Sequence, residues 1–295
     1  MRTEATAGTA LLALVANEQS GSSDPELFAR RLRSFGARVE VYPVEDVSRA
    51  LAIEPSRLVV AGGDGSIAPV AAAAGEAGLP LAVIPAGTAN DFARRLGLPD
   101  EQAAACRLAV RGTRLRPLEL GWMQPPAGGN DRRPFVNVAS TGLPAPAART
   151  AASWKKPLGA LGYAAGALVA GLRADPLGAH VECDGQELFA GDAWQVSVAA
   201  SGAFGGGSTI EDANPSDGDL EVVAVGAGPR PGLVGLAYRL RRGRVSEHRR
   251  AERSSCSTAL VAVAAGSEWN VDGELLPFGP ARFSGERAAF ELVVG

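Results

Sequence analysis

Apolar and polar positions follow two different textures along this 295-residue chain. Up to about residue 120, short apolar runs alternate with amphipathic stretches. The runs Leu11–Ala16, Leu58–Ala61 and Leu81–Pro85 are apolar and have the length of buried strands, and Arg38–Tyr42 reads as a further strand. Between them the spacing predicts helices over Pro25–Phe35, near Val47–Ala52 and over Ser66–Ala74. Strand–helix–strand repetition of this kind implies a parallel sheet. Beyond Leu120 the texture changes. Gly121–Arg133 is rich in Gly and Pro and reads as a loop or hinge. Short strands follow at Phe135–Ala139, His180–Cys183, Trp194–Ala200, Leu220–Val225, Ala259–Ala264, Glu268–Val271 and Ala288–Val294, with a helix near Leu158–Leu172. Asp184-Gly185 and Asp272-Gly273 read as hairpin turns. The expectation is an α/β N-terminal domain over 1–120 and a β-rich domain over 121–295, whose last strand can return to the first.

Two of the predicted strands end in turns with chemistry. Leu58-Val-Val-Ala-Gly-Gly-Asp-Gly-Ser66 runs from a strand into three glycines around one carboxylate, then into an alanine-rich helix. Glycine lets the backbone approach a ligand closely, and the N–H groups of a helix start face the turn. Gly62, Gly63, Asp64, Gly65 and Ser66 therefore form a candidate phosphate cradle. Leu81–Arg94 repeats the plan, with Gly87, Thr88 and Asn90 in its turn and Asn90 or Asp91 placed to cap the next helix. The two turns would lie side by side at the carboxyl edge of one parallel sheet, where open α/β sheets bind ligands. Asn17-Glu-Gln-Ser-Gly21 follows the first strand and would add Asn17, Ser20 and Gly21 to that edge, although a surface turn reads equally well.

Composition narrows the picture. Lys155 and Lys156 are the only lysines, so there is no Gly-Lys-Ser or Gly-Lys-Thr and no Walker-type phosphate loop. The net charge of −3 gives no global reason to expect nucleic acid. No apolar run is long enough to span a bilayer, and Ala10–Ala16 suits a first strand better than a signal peptide. Cys106, Cys183 and Cys256 are scattered, fit neither a zinc site nor a disulfide framework, and point to a cytoplasmic, reducing location. Arg239, Arg241, Arg242, Arg244, Arg249, Arg250 and Arg253 crowd one short segment. It reads either as a solvated helix end and turn or as a basic surface for anionic lipid headgroups.

Gly62-Gly-Asp-Gly-Ser66 with Ile84-Pro-Ala-Gly-Thr-Ala-Asn-Asp-Phe92 closely resembles the diacylglycerol kinase catalytic domain, in particular bacterial lipid kinases of the diacylglycerol and sphingosine kinase superfamily. The resemblance extends over nearly the whole chain. It takes in Phe135–Gly142, Lys155–Tyr163, Gly205–Gly207, Pro215–Leu220 and Val271-Asp-Gly-Glu274. It implies a nucleotide-binding domain with a parallel sheet of the NAD kinase and diacylglycerol kinase type, an antiparallel β-sandwich after it, and an active site in the cleft between them. The implied reaction is transfer of the ATP γ-phosphate to a lipid hydroxyl, most simply that of diacylglycerol, at a membrane surface visited peripherally. The implied catalytic set is Asp272 as general base, Glu274 in support, and Asp64 holding Mg²⁺ beside the phosphates. A second, structural Mg²⁺ would take the Asp217 carboxylate and the carbonyls of Asn214 and Asp219. From local sequence alone, Asp272 reads as a hairpin-turn residue and Asn214–Leu220 as a loop.

Departures from the family pattern are specific. Ser66 stands where threonine is usual, Ala68-Pro69 where Asn-Glu is usual, Glu119 where aspartate is common, Tyr42 where a smaller hydroxyl residue is frequent, and Glu18 where proline is usual. They leave room for a catalytically inactive nucleotide- or lipid-binding homologue. NAD kinase and 6-phosphofructokinase share a Gly-Gly-Asp-Gly turn but match Gly87–Asp91 poorly. The acceptor lipid and a homodimeric state are both left open.

Overall fold

The computed structural model describes residues 10–16, 24–129, 131–143, 175–204, 208–210, 213–242 and 244–295. Asn17, Ser20, Gly21, the segment Lys155–Tyr163, the helix expected near Leu158–Leu172 and the run Gly205–Gly207 lie outside the described residues. The chain divides into two compact units, Met1–Leu118 with Ala289–Gly295, and Glu119–Ala288.

In the first unit, strands β1 (Leu11–Ala16), β2 (Arg38–Pro43), β3 (Arg57–Gly62) and β4 (Leu81–Pro85) alternate with helices α1 (Pro25–Ser34), α2 (Val47–Ala52), α3 (Asp64–Glu76), α4 (Asp91–Arg95) and α5 (Gln102–Arg111). The strands pair in parallel in the order β4-β3-β1-β2. Helix α1 begins where the sequence supplies a cap. The Asp24 carboxylate accepts from the N–H groups of Glu26 and Leu27, and Pro25 occupies the first helical position, where its missing N–H costs nothing. Glu101 caps α5 in the same way, through the N–H groups of Ala103 and Ala104. Phe28, Leu32, Leu14, Val59 and Ile84 share one buried core.

The second unit starts within β5 (Arg114–Gln124) and continues with β6 (Arg133–Phe135), β7 (Val138–Gly142), β8 (Leu177–Cys183), β9 (Gln186–Ala199), β10 (Ala203–Phe204), β11 (Ser208–Thr209) and β12 (Leu220–Gly226). Helix α6 (Gly232–Arg241) and a short 3₁₀ turn (Val245–Glu247) precede β13 (Ala251–Cys256), β14 (Thr258–Ala262), β15 (Glu268–Val271), β16 (Glu274–Pro277) and β17 (Ala281–Val294). Pairing among β16, β15, β7, β9, β8, β14 and β17 is antiparallel throughout, and β12 joins β9 to β13. Aromatic rings fill the core. Phe135 meets Phe283 edge-on at 6.2 Å, and Trp269 lies 5.0 Å from Phe283. The fold is thus an α/β unit on a parallel sheet followed by an antiparallel β-sandwich-like unit. No helix among the described residues is long and apolar enough to cross a membrane.

Three expectations need correcting. The stretch from Gly121 is not a loop at its start: β5 runs through Gly121, Trp122 and Met123 and pairs with β6. Gly121 is there because the Phe135 ring lies where its Cβ would be, at 2.3 Å. The arginine-rich segment is not only a helix end and turn, since Ala251–Cys256 forms β13 on the edge of β12. Helix α3 starts at Asp64 rather than Ser66, with Gly63 as its N-cap residue.

Candidate active site

Strands β3 and β4 deliver the two glycine turns to one place. Gly62 and Pro85 are register partners at the ends of the pair. Just beyond them the turns touch: a Cβ on Gly87 would stand 2.4 Å from the Gly63 Cα, and one on Gly62 would stand 2.8 Å from the Ser66 Oγ. Only glycine permits this approach. The side-by-side placement at the carboxyl edge, expected from sequence, is present.

Asp64 does more than sit in a turn. Its two carboxylate oxygens accept from the N–H groups of Phe92 (2.9 Å) and Asp91 (3.1 Å). An acid in the first turn therefore satisfies the orphan donors of α4 in the second. The cap expected of Asn90 or Asp91 comes from the other strand's turn instead. Asn90 is held in left-handed geometry (φ 51°), and its amide closes on Gly87, accepting from the Gly87 N–H (2.9 Å) and donating to the Gly87 carbonyl (3.2 Å). Asp91 is buried and paired with Arg94 at 3.0 Å. Thr88 is exposed and Ser66 is buried. Ala68 is buried in the core, while Pro69 is exposed in the second turn of α3 rather than in its first.

In the second unit Asp272 and Gly273 form the two-residue turn between β15 and β16, both with positive φ (47° and 96°). The Asp272 carboxylate then reaches the link before β7. It accepts from the N–H groups of Val136 (2.7 Å), Asn137 (2.9 Å) and Val138 (3.1 Å). Successive backbone donors converging on one anion make a nest. Glu274 opens β16 opposite Val271 and is exposed.

The loop Asn214–Asp219 was the expected site of a structural cation. Asn214, Asp217 and Asp219 are exposed, and an Asp217 oxygen accepts from the Asp219 N–H at 3.1 Å. Glu119 completes the arrangement. This strand residue is buried between Leu118 and Leu120; one carboxylate oxygen accepts from the Gly218 N–H at 2.7 Å and the other is buried with no hydrogen-bond partner. Burial pushes its carboxyl up to about 8, against the Gly218 N–H, and the charges of Asp217 and Asp219 push the same way. Among the described residues no three acidic, histidine or cysteine side chains are grouped closely enough to ligate a metal ion as they stand, so a cation here would rest on the orphaned Glu119 oxygen, the Asp217 carboxylate and backbone carbonyls. Sequence reasoning noticed Glu119 as a substitution but gave it no role. The available signal was an acid at a position of β5 flanked by buried leucines.

Similarity to known proteins follows the same division. The diacylglycerol kinase catalytic domain model matches residues 11–123, and the YegS C-terminal NAD kinase beta sandwich-like domain model matches 137–294. The chain belongs to the diacylglycerol kinase catalytic-domain family. A probable lipid kinase YegS-like of Pseudomonas putida is 34% identical over 253 residues, covering 83% of this chain and 79% of that one. A diacylglycerol kinase of Mycobacterium tuberculosis is 27% identical over 248 residues, covering 84% and 79%. Among solved structures, a diacylglycerol kinase from Bacillus anthracis superposes with a TM-score of 0.74 at 20% identity over 98% of both chains, a likeness of fold. The family is one of kinases, so the chain is a member of a phosphotransferase family rather than an isolated fold match.

Proposed function

We propose that this protein transfers the γ-phosphate of ATP to a lipid hydroxyl, with diacylglycerol the first acceptor to test and phosphatidic acid its product. The observation that carries the reading is the contact of the two glycine turns at the ends of β3 and β4, on a scaffold whose family is that of diacylglycerol kinases. In this reading Gly62, Gly63, Gly65, Ser66 and Thr88 hold the phosphates through backbone N–H groups and hydroxyls, and Gly87, whose N–H is taken by Asn90, lets the second turn close on the first. Asn90 fixes the second turn. Asn17, Ser20 and Gly21 complete the nucleotide side. Mg²⁺ supplies charge neutralisation at the phosphates, with Asp64 on its side. Asp217, Asp219, the Asn214 carbonyl and Glu119 hold a second ion in a structural role.

Asp272 takes the proton of the acceptor hydroxyl as its oxygen bonds to the γ-phosphorus and the bond to the β,γ-bridging oxygen breaks, leaving ADP. Glu274 supports it from the opposite side of the turn. Donors from Val136, Asn137 and Val138 keep the Asp272 carboxylate in place. Such a base loses rate on acidification. A lipid acceptor requires peripheral work at a membrane surface, and the three free thiols suit a cytoplasmic face of it. The test is ATP consumption with diacylglycerol vesicles, sphingoid base, NAD and sugar phosphates offered separately, followed by mass analysis of extracted lipid. Phosphatidic acid formed only with diacylglycerol supports the proposal. ADP formation with NAD alone, or ATP binding without transfer to any acceptor, overturns it.

A further inference from the structure

Part of the arginine-rich segment lines a cavity of about 340 Å³ in the second unit, between α6, the turn that follows it and the link after β12. Its wall is unusually cationic. Arg239 from α6, and Arg249 and Arg250 from the turn before β13, line it together with His248. One carboxylate, Glu247, also lies on the wall, but Arg244 already engages it at 2.6 Å. Neither Arg239 nor Arg249 has an ion pair with a carboxylate among the described residues.

The arrangement is built rather than incidental. The Arg250 guanidinium donates to the Ala227 carbonyl at 2.9 Å and passes so close to Gly228 that a Cβ there would stand 2.9 Å from its Nε. A planar fork anchored by one N–H keeps its other donors oriented. The His248 Nδ1 accepts from the Arg250 N–H at 3.3 Å, which leaves Nε2 carrying the proton as a donor. Burial and the charges of Arg239, Arg249 and Arg250 all disfavour the protonated ring. Three like charges around a small concave wall repel one another in the empty cavity. An anion placed among them removes that repulsion and gains charge-assisted hydrogen bonds.

We propose that this cavity is a binding site for a phosphate group, monoester or diester, separate from the ATP-binding turns. Arg239, Arg249 and Arg250 grip its oxygens and His248 adds a neutral donor. A lipid headgroup and a free phosphate compound present the same chemistry here. At about 340 Å³ the cavity is larger than a phosphate alone, so it takes the phosphate together with part of the molecule that carries it.

The chain has only two histidines, His180 and His248, so their ring signals in NMR give a reporter and an internal control. Inorganic phosphate is titrated at constant ionic strength against wild type and the Arg239→Gln/Arg249→Gln double variant, with the His180 signal and the thermal melt reporting that the variant is folded. Saturable movement of the His248 signal alone is expected, with affinity reduced about tenfold or more in the variant. Co-sedimentation with phosphatidic acid vesicles, against phosphatidylcholine vesicles, identifies the source. Retention lost in the variant assigns a headgroup; equal retention with phosphate binding lost assigns a soluble phosphate. The proposal is overturned if His248 moves no more than His180, or if wild type and the variant bind phosphate alike.

Discussion

Asp184 and Asp272 occupy the same local structure and allow the role of one to be measured against the other. Each begins an Asp-Gly turn with φ of 47°. The Asp184 carboxylate accepts from the N–H and hydroxyl groups of both Ser257 and Thr258, and these donors, the Thr258 N–H first, hold its carboxyl below the usual range. Asp272 grips three N–H groups of residues 136–138 in the same manner. Asp272→Asn should therefore lose stability, by about 1–3 kcal/mol in urea denaturation, because part-buried donors are left without their acceptor, and Asp184→Asn should lose less, because its donors are exposed to water. Only Asp272→Asn should abolish lipid phosphorylation while ATP binding persists. If both variants lose activity in proportion to stability, Asp272 is a strut and not a base. Asp64→Asn should lose both properties: one N–H of α4 faces an amide NH₂, costing about 1–2 kcal/mol, and turnover with Mg²⁺ falls sharply. The Asp64 cap and the Asn90 closure were not legible in the chain because their partners lie in different turns or behind a left-handed residue. The Gly62–Ser66 and Gly87–Asp91 motifs themselves were legible, since glycine around a single acid has few purely structural uses.

Element boundaries show where pattern reading succeeds and where it stops. Strands β1, β3 and β4 are near-continuous apolar runs and read directly as buried parallel strands. Strand β13, Ala-Glu-Arg-Ser-Ser-Cys, is mostly exposed, lies at a sheet edge and carries no apolar signal, so it read as part of an arginine-rich turn. Strand β17 runs for 14 residues, and its first half is polar enough to hide the strand's true start. Three scattered cysteines gave no hint that all three are buried as free thiols, Cys183 and Cys256 in the core of the second unit. Helix α3 offers a test at this scale. Pro69 removes the N–H that would return to the Gly65 carbonyl, and its ring is exposed. Pro69→Ala should stabilise the protein by about 1 kcal/mol, read as a raised denaturation midpoint. Gly87→Ala should do the reverse, costing about 1–3 kcal/mol and weakening ATP binding, because its Cβ meets the Gly63 backbone. Gly178→Ala in β8, where nothing lies within 4 Å of the new Cβ, is the matched control, expected within about 0.5 kcal/mol of wild type.

On the scale of the molecule, the change from parallel to antiparallel texture was legible because helix-separated runs give way to closely spaced strands and turns. Ion dependence is a global property that the sequence resemblance attached to Asp64, Asp217, Asn214 and Asp219, and Glu119 adds a buried handle on it. Millimolar Mg²⁺ should raise the melting temperature of the wild type by binding the folded state alone. Glu119→Gln keeps the shape and the acceptor for the Gly218 N–H but removes the carboxyl that an ion would have to ionise. It should lose most of the Mg²⁺ response while matching wild type in EDTA. An equal response in both proteins would place the ion elsewhere.

The first unit is discontinuous in sequence. Leu292 pairs with Leu81, Val293 packs where a Cβ on Gly112 would stand, and the Ala289 carbonyl presses on Gly75. A ribosome making this chain therefore releases the glycine turns long before the strand that borders their sheet. Nascent chains must carry an unfinished nucleotide domain through the synthesis of some 170 residues that belong to the other unit (Glu119–Ala288). Any chain cut short before Ala289, by premature termination or by proteolysis, lacks that border and should be unable to bind ATP. If the proposed function holds, a product truncated before Ala289 is not a stray kinase, because the strand that borders the glycine turns is made only after Ala288.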